Sequence, residues 1–216
     1  MGGPIDFKNI GLAKLLYKLR QHLDVYCLVA VNAGKLNAIS GNFFGHLQQT
    51  EIDAICLSIC KIYEMERQFP LNSIPGVCQL FLLEDAKADD ESAVRAFVIK
   101  RKGPWGCSPA IAVKLTAERF LEERREDLQR FKECRDKTIA HSESGIEIPA
   151  LPSFAVMEDF FGFGADFYRL VSEAFLGVGA AELRRDAKVG FKHVLRKLGL
   201  SDVRTEMMYE DDAVDA

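Results

Sequence analysis

The segment ERFLEERREDLQRFKECRDKTIAH, residues 118–141, carries the side chains best placed to do chemistry. At about 100° per residue around a helix with Leu128 at zero, Leu121 and Ile139 fall near 20°, Ala117 near 340° and Phe131 near 300°, forming an apolar stripe. Arg135 falls at about 340°, inside that stripe, and Arg124 at about 320°. A charge on a buried stripe must be paired, or must face a cleft or a subunit boundary. An inward arginine can grip an anion through its planar fork; equally, it can serve as a structural ion pair. His141 lies six residues after Arg135, about 120° away on an unbroken helix, so one copy does not bring the two onto a single face. Two copies related by a twofold axis can assemble them into one composite site. Ser142, Ser144 and Gly145 follow, so the helix is expected to end near His141, where its dipole favours the protonated imidazole. That suits acid–base work, although a histidine at a helix end also acts as a plain cap.

The elements that must position these residues read as helices. Leu12, Leu15, Leu16, Leu19 and Leu23 recur at helical spacing after Asp6, a plausible cap. Residues 25–47, with Gly34, Gly41 and Gly45, are expected to form a buried, kinked helix. Thr50 and Asp53 resemble a capping box that starts a helix through Ile52, Ile55, Cys56, Ile59, Ile62 and Tyr63, broken before Pro70. Ser73 and Pro75 open another through Leu83. Residues 91–100 are expected to be helical, residues 102–109 a loop, and the pattern from Ile111 to about His141 one long helix. A second loop, residues 142–153, precedes an aromatic-rich helix over 154–176, which Gly162 and Gly164 are expected to bend. Leu183, Ala187, Phe191, Val194, Leu195 and Leu198 outline a last helix whose other face is basic. The expected architecture is an all-α bundle of one domain, residues 1–200, with an acidic, flexible tail over 201–216.

Composition narrows the function classes. The chain has 216 residues, 48% hydrophobic and 28% charged, and a net charge of −4 with a pI near 5.7. These values fit a folded domain and argue against indiscriminate coating of nucleic acid or membrane. No long uncharged apolar run and no signal-peptide layout appear, so a cytoplasmic protein without membrane contact is expected. The six cysteines are scattered and read as small core residues. Four histidines, none in a ligand spacing, make a histidine-rich metal site unexpected, and no nucleotide-binding or nucleophile motif occurs. No cofactor is expected. Arg184, Arg185, Lys188, Lys192, His193, Arg196 and Lys197 form one basic cluster, and Arg95, Lys100, Arg101 and Lys102 another.

The string Arg135-Asp136-Lys137-Thr138-Ile139-Ala140-His141, an arginine followed by a polar residue and then a histidine after a gap of five, resembles the signature of HEPN domains. The wider phrase RDKTIAHSE, with VNAGKLNAISGNFF and ICLSICKIYEMER upstream, resembles the AbiU-type branch associated with bacterial abortive infection. The likeness covers roughly residues 8 to 175. It implies a helical bundle that dimerises along the motif-bearing helices and, in many members, a metal-independent endoribonuclease of toxin–antitoxin or antiviral type. The implied catalytic residues are Arg135, Asp136 and His141. Many HEPN nucleases carry asparagine after the arginine; here Asp136 places negative charge where a phosphate would sit.

RNA chemistry matches that implication. A 2′-hydroxyl can attack the adjacent phosphorus without metal if one group moves protons and another stabilises the phosphorane, leaving a 2′,3′-cyclic phosphate and a 5′-hydroxyl. His141 would move the protons, Arg135 would hold the phosphate oxygens, and Asp136 would orient one of them rather than act as the base. The implied partners are RNA, a second copy of the chain, and an antitoxin or sensor protein. Two rivals share the residues: a non-catalytic dimeric interaction module, and a regulator whose Arg124 and Arg135 bind an anion or nucleotide.

Overall fold

The computed structural model describes residues 11–65, 68–83, 85–137, 150–180, 182–200 and 202–206, and the backbone alone of 138–140. The proposed Asp6 cap, His141 and the end of the acidic tail lie outside these residues. Eight α-helices and no strand occur among them: α1 Gly11–Val31, α2 Ala33–Tyr63, α3 Ile74–Leu83, α4 Glu91–Lys100, α5 Pro109–Glu123, α6 Arg125–Cys134, α7 Phe154–Leu170 and α8 Asp186–Lys197. α6 continues as a π-helix over Arg135–Ala140, and α7 as another over Val171–Phe175. The fold is all-α, as the periodicity indicates. No described helix is long and apolar enough to cross a membrane.

The main core draws Leu12, Leu16, Leu19 and Leu23 of α1 against Ile55, Ile59 and Ile62 of α2 and the aromatic face of α7. Phe160, Phe163 and Phe167 are wholly or almost wholly buried. Phe163 stacks on Phe120 of α5 with centroids 4.0 Å apart, and Phe160 meets Phe131 of α6 edge-on at 5.5 Å. Tyr63, at the end of α2, packs edge-on against Phe160 at 5.0 Å and donates its hydroxyl proton to the Phe160 carbonyl. These rings clamp the end of α2 and, through Phe131, α6 to α7, next to residue 135. A smaller core joins Leu28, Val29, Leu36 and Phe44 to Leu195 of α8 and Leu200.

Local signals account for several helix starts. Asp90 accepts N–H bonds from Ser92 and Ala93 at 2.9 and 3.1 Å and so caps α4. The Ser92 hydroxyl also donates to Asp90, at 2.6 Å, and holds its carboxyl below the ordinary carboxylate range. Ser73 Oγ accepts from the Gly76 N–H at 3.2 Å at the start of α3.

Four expectations need correction. Residues 25–31 continue α1, and α2 begins after a break at Asn32; most side chains over 37–45 are exposed, and the kink sits at Ser40, beside rather than at a glycine. Thr50 starts nothing: its hydroxyl donates back to the His46 carbonyl at 3.0 Å within a continuous α2, a bond open to threonine inside a helix. The pattern from Ile111 is not one helix but two, turned at Arg124 with φ −109° and ψ 18°. Six consecutive charged residues, 122–127, offer no apolar anchor to hold the axis straight there. Gly162 and Gly164 lie within an uninterrupted α7; Gly164 instead admits the Leu16 side chain, which a Cβ would meet at 2.7 Å.

Five cysteines are buried, as expected, whereas Cys107 is exposed on the loop before α5. Burial pushes the Cys60 and Cys78 thiols up to about 12. Their folded pKa values exceed the unfolded one, so their contribution to stability is complete below pH 9 and is lost as pH rises towards 12. A thiol reagent at pH 8 is expected to label one cysteine rapidly in the native chain and all six after denaturation, with Cys107→Ser removing the fast phase. Fast labelling of two or more native thiols would contradict this packing.

Candidate functional site around Arg135

Arg135 occupies the junction where α6 passes into the π-helical turn. In that turn the hydrogen bonds run from i to i+5, and such insertions are frequent at functional positions. The 120° offset estimated between Arg135 and His141 assumed α-helical steps, so it does not carry over to this backbone.

Two helices meet at the arginine, α2 and α6 with its π-helical continuation. Its Nε donates to Asp136 Oδ1 at 2.8 Å, and its Nη1 donates to Glu64 Oε2. Glu64 is the residue that ends α2; its N–H bonds the Cys60 carbonyl at 2.8 Å, and its other carboxylate oxygen lies 3.5 Å from Lys132 Nζ. The aromatic clamp between Tyr63 and Phe160 fixes this helix end, so Glu64 is a pre-positioned anchor. The Asp136 bond, aided by Glu64, raises the Arg135 pKa, so the guanidinium stays charged at every working pH. The Arg135 side chain keeps 26% of its surface exposed, and Asp136 keeps 59%. Arg135 is therefore paired but not sealed, contrary to its place in the middle of a buried stripe. The turn at Arg124 puts Ala117 and Leu121 on another helix, so the stripe around Arg135 is only Leu128 and Phe131 of α6, and Arg135 lies at its end, beside Glu64.

Arg124 does not join it. Its Nε and Nη2 donate to Asp159 of α7 at 2.9 and 2.7 Å. It borders a cleft of about 360 Å³ that also includes Lys100, Arg101, Lys102, Phe120 and Phe163. Arg101 in that cleft is bonded to Asp166, and Lys100 lies 2.8 Å from the same carboxylate. Two of the four cations of the second basic cluster, Lys100 and Arg101, are thus paired with carboxylates of α7.

Two features escaped the reading of the sequence. Glu64 is 71 residues from its arginine, with no local pattern linking them. Arg20 and Asp24 form a buried pair at 2.7 Å, joined by Glu158 and by Arg185. That pair was detectable, because Leu12, Leu16, Arg20 and Asp24 follow each other at four-residue steps on one face.

A family model described as AbiU2, HEPN_AbiU2, matches residues 10–183. Neither the curated proteins nor the solved structures contain a match to this chain.

Proposed function

This chain belongs to the HEPN_AbiU2 family, and on that premise we propose that it is a metal-independent endoribonuclease acting as a toxin or phage-defence effector. The observation that carries the reading is Arg135 itself: a guanidinium held by Glu64 and Asp136 at the end of the motif helix, with part of its surface still open. A guanidinium has five N–H donors, and two are engaged among the described residues, so donors remain for phosphate oxygens.

In the proposed reaction, His141 takes the proton from an RNA 2′-hydroxyl as O2′ forms its bond to phosphorus. The P–O5′ bond breaks, and the 5′-oxygen leaves with a proton from a general acid, a role open to the second copy's histidine. Arg135 stabilises the charge that builds on the phosphorane oxygens. Asp136 acts as a positioning residue through its bond to Nε. The motif helices of two copies face each other in this account, and an antitoxin or sensor protein restrains the activity in the cell.

Expression in a bacterial host tests it. The wild-type chain is expected to arrest growth, and His141→Ala is expected to relieve the arrest at equal protein level. Arrest that persists in the variant would favour a non-catalytic module, in which the Arg135–Glu64 pair is structural.

A further inference from the structure

We propose that the exposed face of α8 is an RNA-docking surface that grips the phosphate backbone of the substrate; the inference rests on the ribonuclease reading for its choice of partner. α8 lies beyond residue 183, where the family match ends. Leu195 anchors it in the smaller core. The junction before it is tied down by Gln21, which bonds the Arg184 carbonyl and the Ala187 N–H, each at 2.5 Å.

Between residues 184 and 197 the only carboxylate is Asp186, against Arg184, Arg185, Lys188, Lys192, Arg196 and Lys197. The Tyr17 hydroxyl donates to Asp186 at 3.1 Å, and Arg184 lies 3.7 Å from it. Arg185 is committed to the buried Asp24. Lys188, Lys192, Arg196 and Lys197 make no ion pair among the described residues, in contrast to Lys100, Arg101 and Arg124. With Leu195 at zero, Lys192, Arg196, His193 and Lys197 sweep from about 60° to about 200° around the axis, from the half-buried Lys192 to the exposed Arg196, His193 and Lys197. Among the described residues this is concentrated positive charge without an ion-pair partner, on a chain whose net charge is −4.

The composition of the face selects RNA over a lipid surface. Insertion into a membrane needs several large apolar residues on the inserting face; within this arc only Val189 is apolar, while Val194 and Leu198, also exposed, lie outside it at about 260° and 300°. Phosphate contact needs only cations and releases counterions, whatever the base sequence. The cations would hold a strand while the Arg135 site acts on it.

The test is fluorescence-anisotropy binding of a labelled, mixed-sequence single-stranded RNA to the full chain in EDTA. A His141→Ala background keeps the probe intact, and binding is measured across a salt series. Lys192→Gln/Arg196→Gln/Lys197→Gln is compared with a control that loses three other exposed cations, Lys61→Gln/Lys87→Gln/Arg95→Gln, after both show unchanged helicity. The α8 variant is expected to bind about tenfold more weakly at low salt, with the log–log salt slope reduced by about 2, from roughly 0.7 per lost phosphate contact. The control is expected to keep the parent slope. No RNA binding by the parent, equal losses in the two variants, or a preference for phosphatidylserine vesicles over RNA would overturn the docking surface. RNA cleavage by the unsubstituted chain with binding indifferent to α8 would leave the nuclease reading standing and remove this one. Binding that depends on α8 without any cleavage would do the reverse.

Discussion

In EDTA, RNA incubated with the folded chain is expected to be cut, with His141→Ala slowing cleavage by about 10²–10⁴, the usual contribution of a positioned general acid–base. Arg135→Ala is expected to slow it by roughly 10²–10³, comparable with removing one preorganised donor from a developing anion. Arg135→Lys does not restore the rate, because an ammonium keeps the charge but loses the fork that bonds Asp136 and Glu64 while presenting further donors to the phosphate. The pH dependence follows from the same roles. Arg135 stays charged throughout, since its pKa is raised further by the Asp136 bond. The acid limb of the rate profile is therefore expected to track histidine, which ordinarily titrates near 6.5, with the rate rising as the imidazole becomes able to accept a proton. Single-turnover cleavage at saturating enzyme measures each effect, with circular dichroism confirming that the variants fold.

The largest expected effect on stability lies far from that site. Asp24 has no exposed side-chain surface, and Arg20 keeps 8%. Arg20 Nη2 donates to Asp24 at 2.7 Å, while Nη1 and Nη2 reach the two oxygens of Glu158 at 2.9 and 2.8 Å. Arg185 Nε lies 3.1 Å from both Asp24 oxygens. Its pKa is raised chiefly by the hydrogen bond to Asp24. Asp24→Ala removes the acceptor shared by Arg20 and Arg185 and leaves the buried Arg20 guanidinium held by Glu158 alone, a loss of buried charge-assisted bonds expected to destabilise by about 2–3 kcal/mol. Arg185→Ala takes away the partner that is half exposed, and about 1 kcal/mol is expected. Urea unfolding of the three chains checks the order; a loss below about 1 kcal/mol for Asp24→Ala would contradict the network. Replacing both buried partners together, as Arg20→Met/Asp24→Leu, is expected to cost less than Asp24→Ala alone, because the buried pair goes as a unit and the charges left without it, Glu158 and Arg185, are partly exposed.

Helices were legible wherever an apolar stripe met a cap or a breaker. Ser73 with Pro75, and Leu183 through Leu198, outlined α3 and α8 to within a few residues. The interruptions were not. Asn32 divides α1 from α2 without proline or glycine, and its amide instead bonds the Leu28 and Arg204 carbonyls at 2.8 and 3.0 Å, the latter supplied from 172 residues away. The turn at Arg124 is associated with its bond to Asp159, again a partner chosen by tertiary packing. At the candidate site, the motif and its resemblance to HEPN domains were readable as a local string, and the family match bears that resemblance out. Glu64 was not readable, because the side chain that holds Arg135 sits where another helix ends, and tertiary packing, that of Tyr63 against Phe160 included, brings it there. The projection that put Arg135 at the centre of a buried stripe counted Ala117 and Leu121, which the turn at Arg124 places on another helix; of the stripe, Leu128 and Phe131 alone lie on α6, which ends at Arg135.

The central claim is that Arg135 and His141 cut RNA through its own 2′-hydroxyl, without a metal. End-group analysis of the products formed in EDTA tests this most directly. The account predicts fragments with a 2′,3′-cyclic phosphate and a 5′-hydroxyl that polynucleotide kinase labels without prior phosphatase treatment, formed by the wild-type chain and absent with Arg135→Ala and His141→Ala. Fragments bearing a 5′-phosphate, or cyclic ends that persist in both variants, would contradict it.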